Sequence, residues 1–381
     1  MHILLLAEGD PETLDSWSGS SQALLRELRA RGHTASGRDV TEPGWARLAA
    51  IAAGWSPRRE RWAARYHFGA IGFQARTAQA AKGLRSATPA PDAIIQIGAT
   101  FDGLRSAGVP GFLYCDGNAR TAARNAPYGQ VAALSPAEQN RMAARETGVY
   151  ARTRRIFTMS EYLRRSFIDD FGIPEQRVTT VYAGANLDLT RTRLRPEEVS
   201  GPPTVLFVGR QWEPKGGPEL LAAFREVQRE LPEARLRIVG CTPDVAGAAG
   251  VEVVGPVSKA TAEGEERLSA IYRSADLFCM PSHFDAFGIV FVEAMLHGLA
   301  CLGADRCAMP EIIEHGVTGW VAPATDVAAL KDRMLAGLRD RKRLVEMGRR
   351  GNERARRLFT WDSVGGRILE GLAGTGGAAV K

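Results

Sequence analysis

The 381-residue sequence predicts an α/β protein of two doubly wound parallel-sheet units. Three observations carry that expectation. Short apolar runs alternate with helix-like segments through the first half of the chain. A polar stretch with Pro and Gly, LTRTRLRPEEVSGPP at 189–203, then interrupts the rhythm, and after it the alternation restarts. Hydrophobic residues at 45% and charged residues at 24% are the proportions of an ordinary soluble globular chain, which excludes a disordered or fibrous class.

The opening MHILLLAEGD has an apolar run but no basic segment before it and no small-residue cleavage site. It therefore reads as a first buried strand rather than a signal peptide. SSQALLRELRARG follows as a helix ending in a basic turn and Gly32. IIQIG at 94–98, GFLYC at 111–115, RIFTM at 155–159 and VTTVY at 178–182 are the next strand candidates. Beyond the linker, TVLFVG, RLRIVG, VEVVG, DLFCM, ACLG and WVA repeat the pattern, and PELLAAFREVQREL sets Leu220, Leu221, Phe224, Val227 and Leu231 on one helix face behind Pro218. The chain closes on a small-residue tail, GLAGTGGAAVK. No run approaches the ~18 apolar residues of a membrane span, and the five cysteines form no CxxC pair, which fits a reducing cytoplasm.

The net charge of +6 is uneven. Between Trp55 and Arg85 lie seven basic residues and one acid, Glu60, with Trp55, Trp62, Tyr66 and Phe73 at helical spacing and Gly69 and Gly72 interrupting. A helix packed on the core with a solvated basic face accounts for this window, as does a surface that meets anionic lipid or an anionic acceptor. Nucleic acid is not the expected partner, since the sequence shows no zinc finger, RNA-recognition signature or basic tail.

Two stretches point to chemistry. In VGRQWEPKGGPELL a strand ends at Gly209, the loop offers Arg210 and Lys215, and Gly216-Gly217 lead into a helix. Cations and free amide groups at a helix start suit a phosphate or diphosphate. It is neither a Walker A loop nor GxGxxG. In HFDAFGIVFVEAM, Asp285 and Glu293 stand eight positions apart in mostly apolar surroundings. Phe287-Gly288 permits close backbone approach, and the amides of Gly288, Ile289 and Val290 open a helix. Glu293 at that place suits a ribose diol, and equally a helix-dipole partner; Asp285 equally suits a loop acid or N-cap.

VGRQWEPKGG, DAFGIVFVE with AMLHGLACLG, PEIIEHGVTGWVAP, and SEYLRRSFIDDFGIPEQRVTTVYAGAN together make the chain resemble the retaining glycosyltransferases of family 4, glycosyl transferases group 1, over essentially its whole length. The resemblance implies the GT-B fold, two Rossmann-like units facing across a cleft: an acceptor domain at 1–188, a donor domain at 204–355, and a C-terminal helix at 356–381 that crosses back with Trp361 at the crossing. It implies transfer of a sugar from a UDP-, GDP- or ADP-sugar to an acceptor hydroxyl with retention of configuration, without a metal and without a tightly bound cofactor. Arg210 and Lys215 would neutralise the leaving diphosphate, Glu293 would bind the ribose, Asp285 would lie beside the donor sugar, and Gly209 with the amides from Phe287 to Val290 would complete the site. The loop PVSK, with Val257, matches the place of the nucleotide base.

The chain departs from the family in three places. Asp285 replaces the usual Glu; the usual Gly-Gly pair of the first domain becomes Ser18-Gly19-Ser20, which would hold phosphate or acceptor; and Asp116 stands where many members carry a histidine, although an Asx-turn explains Asp116 equally well. The acceptor class is a glycan, a lipid-linked molecule or a small molecule, with a peripheral membrane contact through residues 55–85 at the inner face. A nucleotide-sugar epimerase or hydrolase on the same fold and a non-catalytic nucleotide-sugar-binding protein are the alternatives.

Overall fold

The computed structural model describes residues 1–125, 129–196, 201–245, 247–259 and 261–374. Residues 197–200 of the expected linker and 375–381 of the expected tail lie outside them. The chain divides into two compact units, Met1–Ala183 together with the chain from Trp361 onward, and Gly184–Thr360.

The first unit opens with β1 (His2–Ala7), wholly buried, then α1 (Ser20–Ala30) and β2 (Thr34–Asp39). Three helices follow, α2 (Gly44–Ala53), α3 (Arg59–Phe68) and α4 (Ala70–Arg85), before β3 (Ala93–Ile97) and β4 (Gly111–Cys115). α5 (Ala119–Arg124), α6 (Pro136–Arg152), β5 (Arg155–Thr158), α7 (Glu161–Phe171) and β6 (Val178–Thr180) complete its first stretch. The strands pair in parallel in the order β2-β1-β3-β4-β5-β6. β3 and β4 are buried at every position, as continuous apolar strands covered by helices on both faces must be.

The second unit runs β7 (Thr204–Val208), α8 (Gly217–Glu230), β8 (Arg235–Val239), β9 (Val251–Gly255), α9 (Ala262–Arg273), β10 (Leu277–Met280), α10 (Ile289–Leu296) and β11 (Ala300–Ala304). α11 (Met309–Ile312), β12 (Gly319–Ala322), α12 (Val327–Arg339) and α13 (Arg341–Leu358) follow. Its parallel sheet has the order β12-β11-β10-β7-β8-β9. The order reverses at β7, between β10 and β8, so the loops after β7 and β10 flank a topological switch point, where ligands of doubly wound sheets bind.

α14 (Trp361–Ala373) then returns to the first unit. Arg31, just past α1, donates to Asp362 at 2.6 Å, and Arg367 donates to the carbonyl of Val181 at 2.9 Å with its guanidinium over Tyr182.

The boundaries differ from the sequence reading, which closed the first domain at 188 and started the last helix at 356. The segment from 184 belongs to the second unit because Arg195 is buried there, both amino groups donating to Asp276 at 2.9 Å. α13 is unbroken to Leu358, so the crossing begins at Trp361. The aromatic-basic window from Trp55 to Arg85 is divided among a loop, α3 and α4, with α2 immediately before it.

Candidate active site

The second unit gathers its candidate residues at the switch point. The loop after β7 and the loop after β10 are tied backbone to backbone, His283 N–H donating to the carbonyl of Pro214 at 3.0 Å. Gly216 makes the approach possible. Its φ is 73°, and a Cβ there would fall 2.1 Å from the carbonyl oxygen of Pro281, so any side chain would push the loops apart. Lys215 is thereby brought to Asp285, Nζ to Oδ2 2.7 Å, and also donates to the carbonyl of Phe284 at 3.2 Å. Both side chains are about four-fifths buried (20% and 18% exposed), so their attraction is screened less than a surface pair's. A second tie crosses the same loops: the His283 ring nitrogen Nε2 lies 2.9 Å from Oε1 of Glu219, in the first turn of α8.

α8 and α10 both start at this point, each behind a left-handed glycine, Gly216 and Gly288 (φ 89°), and neither has a side-chain cap. The first-turn N–H groups of an uncapped helix start are donors without an intrahelical acceptor, and the helix dipole adds positive potential. Phe287 and Gly288 are buried, while Ile289 and Val290 are partly open. Arg210 is exposed just past β7, and no ion pair involves it among the described residues. Gly209 caps the strand, its N–H donating to Val239 at 2.9 Å.

Glu293 lies in the second turn of α10 and is fully buried. A buried carboxylate persists only with partners. Lys259 supplies the countercharge at Oε1, and the Tyr272 hydroxyl donates to Oε2 at 3.2 Å. Burial first, and then the Glu293 charge, drive the Tyr272 hydroxyl well above its usual range, so it remains a donor. Tyr272 stacks on His297 at 4.8 Å, and the His297 ring bridges the Glu293 carbonyl (2.8 Å) to Ser269 (3.1 Å). Lys259 stands two residues after Val257, so the PVSK loop reaches Glu293 through its lysine, whereas Val257 is half-buried.

In the first unit the candidates also converge. The Trp17 indole donates to Oδ2 of Asp116 at 3.2 Å and its ring meets Tyr114 edge-on at 5.1 Å. This ties the 18–20 loop to the end of β4. Trp17 and Ser18 both hold positive φ (48° and 56°), ahead of Gly19 at the start of α1; Ser18 is exposed and Ser20 buried. Non-glycine residues held in that region store strain, and such strain clusters at ligand-binding loops.

The sequence reading did not assign roles to Tyr272, Lys259, His297, His283 or Glu219. Tyr272 and Lys259 act on Glu293 from 21 and 34 positions away, which no local pattern reports.

Residues 202–340 match the family model described as glycosyl transferases group 1. The chain is 30% identical over 264 residues to the D-inositol 3-phosphate glycosyltransferase of Nocardia farcinica, spanning 63% of this chain and 57% of that one. It is 28% identical over 240 residues to the GDP-mannose-dependent alpha-(1-6)-phosphatidylinositol monomannoside mannosyltransferase of Mycobacterium tuberculosis, spanning 57% and 60%. The chain thus covers under two thirds of the length of these curated relatives. Anabaena HepE, solved in complex with UDP and glucose, superposes with a TM-score of 0.69 at 17% identity over 98% of this chain and all of that one, which establishes the shared fold. The two doubly wound sheets are of the GT-B class, and residues 202–340 are similar to the glycosyl transferases group 1.

Proposed function

We propose that the protein is a retaining glycosyltransferase of family 4 that moves a sugar from a nucleotide-sugar donor to an acceptor hydroxyl. The observation that carries this reading is the convergence at one switch point of two uncapped helix starts, α8 and α10, with the Lys215–Asp285 pair between their loops. Amides and cations gathered there suit a diphosphate. The names of the relatives supply the reaction class.

In this reading the diphosphate lies against the amides of Gly288, Ile289 and Val290, with Arg210 and Lys215 neutralising its charge in place of a metal. Glu293, oriented by Tyr272 and Lys259, accepts from the ribose hydroxyls. Asp285 lies beside the donor sugar. The bond from the anomeric carbon to the diphosphate oxygen breaks, the acceptor oxygen bonds to the same face, and the hydroxyl proton leaves with the departing diphosphate. Fixed cations aimed at charge that develops on a leaving group contribute several kcal/mol in a water-poor site. Asp116 is assigned to the catalytic wall near the reacting carbon, and Ser18, Gly19 and Ser20 to phosphate or acceptor, for which the relatives' names favour an inositol-containing or lipid-linked molecule, in a cytoplasmic enzyme that touches the inner membrane face through 55–85.

A thermal-shift screen against UDP-, GDP- and ADP-sugars, with and without Mg²⁺, tests the donor site, because a ligand that binds only the folded state raises the melting temperature. A metal-independent rise with one nucleotide class, abolished in Glu293→Ala, is expected. No rise with any of the three would overturn the reading.

A further inference from the structure

The first unit carries a groove of about 450 Å³ lined by Ala50 and Ala53 of α2, Gly54 just past it, Ile71 of α4, and Arg141 and Arg145 of α6. Its charge is unbalanced. Glu138 in the groove is already engaged, held by Arg65 at 2.6 Å and Arg61 at 3.1 Å. Arg141 is exposed and Arg145 half-buried, and neither forms an ion pair among the described residues. Arg145 instead donates to the Phe68 carbonyl and lies 5.9 Å over the Phe73 ring. Arg145 feels the charge of Glu146, its neighbour in sequence, but neither guanidinium has a carboxylate at ion-pair distance among the described residues.

Beside the groove the same helix presents an unpartnered apolar face. Ala46 and Ala50 turn inward, while Trp45 is 76% and Leu48 69% exposed, with Ala49 and Ala52 open between them; Trp55, just past the helix, is 64% exposed and Ile71 40%. Large apolar side chains at that exposure are not a solvated surface's usual composition. Arg47 of α2, and Arg58 and Arg59 a few residues after Trp55, are exposed, with no ion pair among the described residues. Indole rings and leucine flanked by arginines match the boundary between hydrocarbon and charged headgroups.

We propose that α2, Trp55 and the groove dock the first unit on an anionic lipid bilayer, with Trp45, Leu48 and Trp55 entering the interface and Arg141 and Arg145 meeting a phosphate-bearing headgroup. This turns the membrane contact proposed from the 55–85 window into a built site, most of it on residues outside that window, and it does not depend on the donor chemistry. An acidic protein partner would satisfy the arginines but would not draw two indoles into hydrocarbon.

Flotation of the full chain with vesicles of phosphatidylcholine alone, or of phosphatidylcholine mixed with phosphatidylglycerol, tests it, read with tryptophan emission. The expected result is binding to the mixed vesicles with a blue shift, weakened by salt. Trp45→Ala with Leu48→Ala should reduce partitioning by roughly tenfold or more, and Arg141→Gln with Arg145→Gln should erase the preference for anionic vesicles. Both pairs are at or near the surface, and an unchanged circular dichroism spectrum checks their folding. Failure of the wild-type chain to bind mixed vesicles, or binding that neither double variant alters, would overturn the proposal. A chain that ignores vesicles yet melts higher with a nucleotide sugar loses this inference alone. The converse result loses the donor assignment alone.

Discussion

The ammonium of Lys215 lies 2.7 Å from Oδ2 of Asp285, although the two residues are 70 positions apart in sequence. One stands at the end of the β7 loop and the other in the loop after β10. The pair therefore reports how the reversal of strand order folds two distant sequence motifs into one site.

The pair predicts an asymmetry. Lys215→Ala removes the cation assigned to the leaving diphosphate, so turnover should fall by about 10²–10³-fold, the scale seen when a fixed charge-stabilising group is removed. Asp285→Asn keeps the shape and leaves Lys215 free for phosphate, so it should weaken catalysis while tightening binding of the bare nucleoside diphosphate. Initial rates and calorimetric titration with the nucleotide class found by thermal shift check both. Lys215→Ala that folds and turns over normally would remove Lys215 from the mechanism.

A second prediction concerns stability. Asp276 is fully buried and receives Arg195 at 2.9 Å, Arg341 at 2.9 and 3.1 Å, and the Thr204 N–H at 2.9 Å. Asp276→Ala would strand the buried Arg195 without a countercharge, and breaking a buried pair from one side costs about 3–5 kcal/mol. Urea denaturation should show a loss of that order. A loss under about 1 kcal/mol, typical of a surface pair, would mean that Arg195 does not rely on Asp276.

The same cluster shows why one boundary was illegible. The stretch around Arg195 is polar and rich in Pro and Gly, the composition of a linker, and only its distant partner Asp276 reveals a buried anchor. Most strands were legible because a parallel strand covered on both faces is a continuous apolar run. β2 escaped notice because TASGRD, on the sheet edge, buries only Ala35. In the site, Asp285, Gly288 and Glu293 could be placed because they share one loop and one helix. What holds Glu293 could not: Lys259 and Tyr272 come from the segment before β10, and their contacts are set by packing rather than by period.

Glu146 gives a prediction with a definite sign in pH. It is buried in α6, where its Oε2 accepts from the Ala119 N–H and from the Tyr150 hydroxyl, both at 2.8 Å, and so fixes the first turn of α5 beside Asp116. Burial raises its pKa from 4.5 to about 7, against the lowering effect of those two hydrogen bonds. Between those two values the folded chain holds a proton that the unfolded chain has released. Stability from this group is therefore full below the unfolded pKa, falls as pH rises through the interval, and is lost above the folded pKa. Glu146→Gln keeps a neutral side chain of the same shape at all pH. The wild type should lose stability relative to this variant as pH rises from about 5 to about 8, read as urea midpoints on the two proteins side by side. Parallel pH profiles would show that Glu146 is ionised in the folded chain throughout.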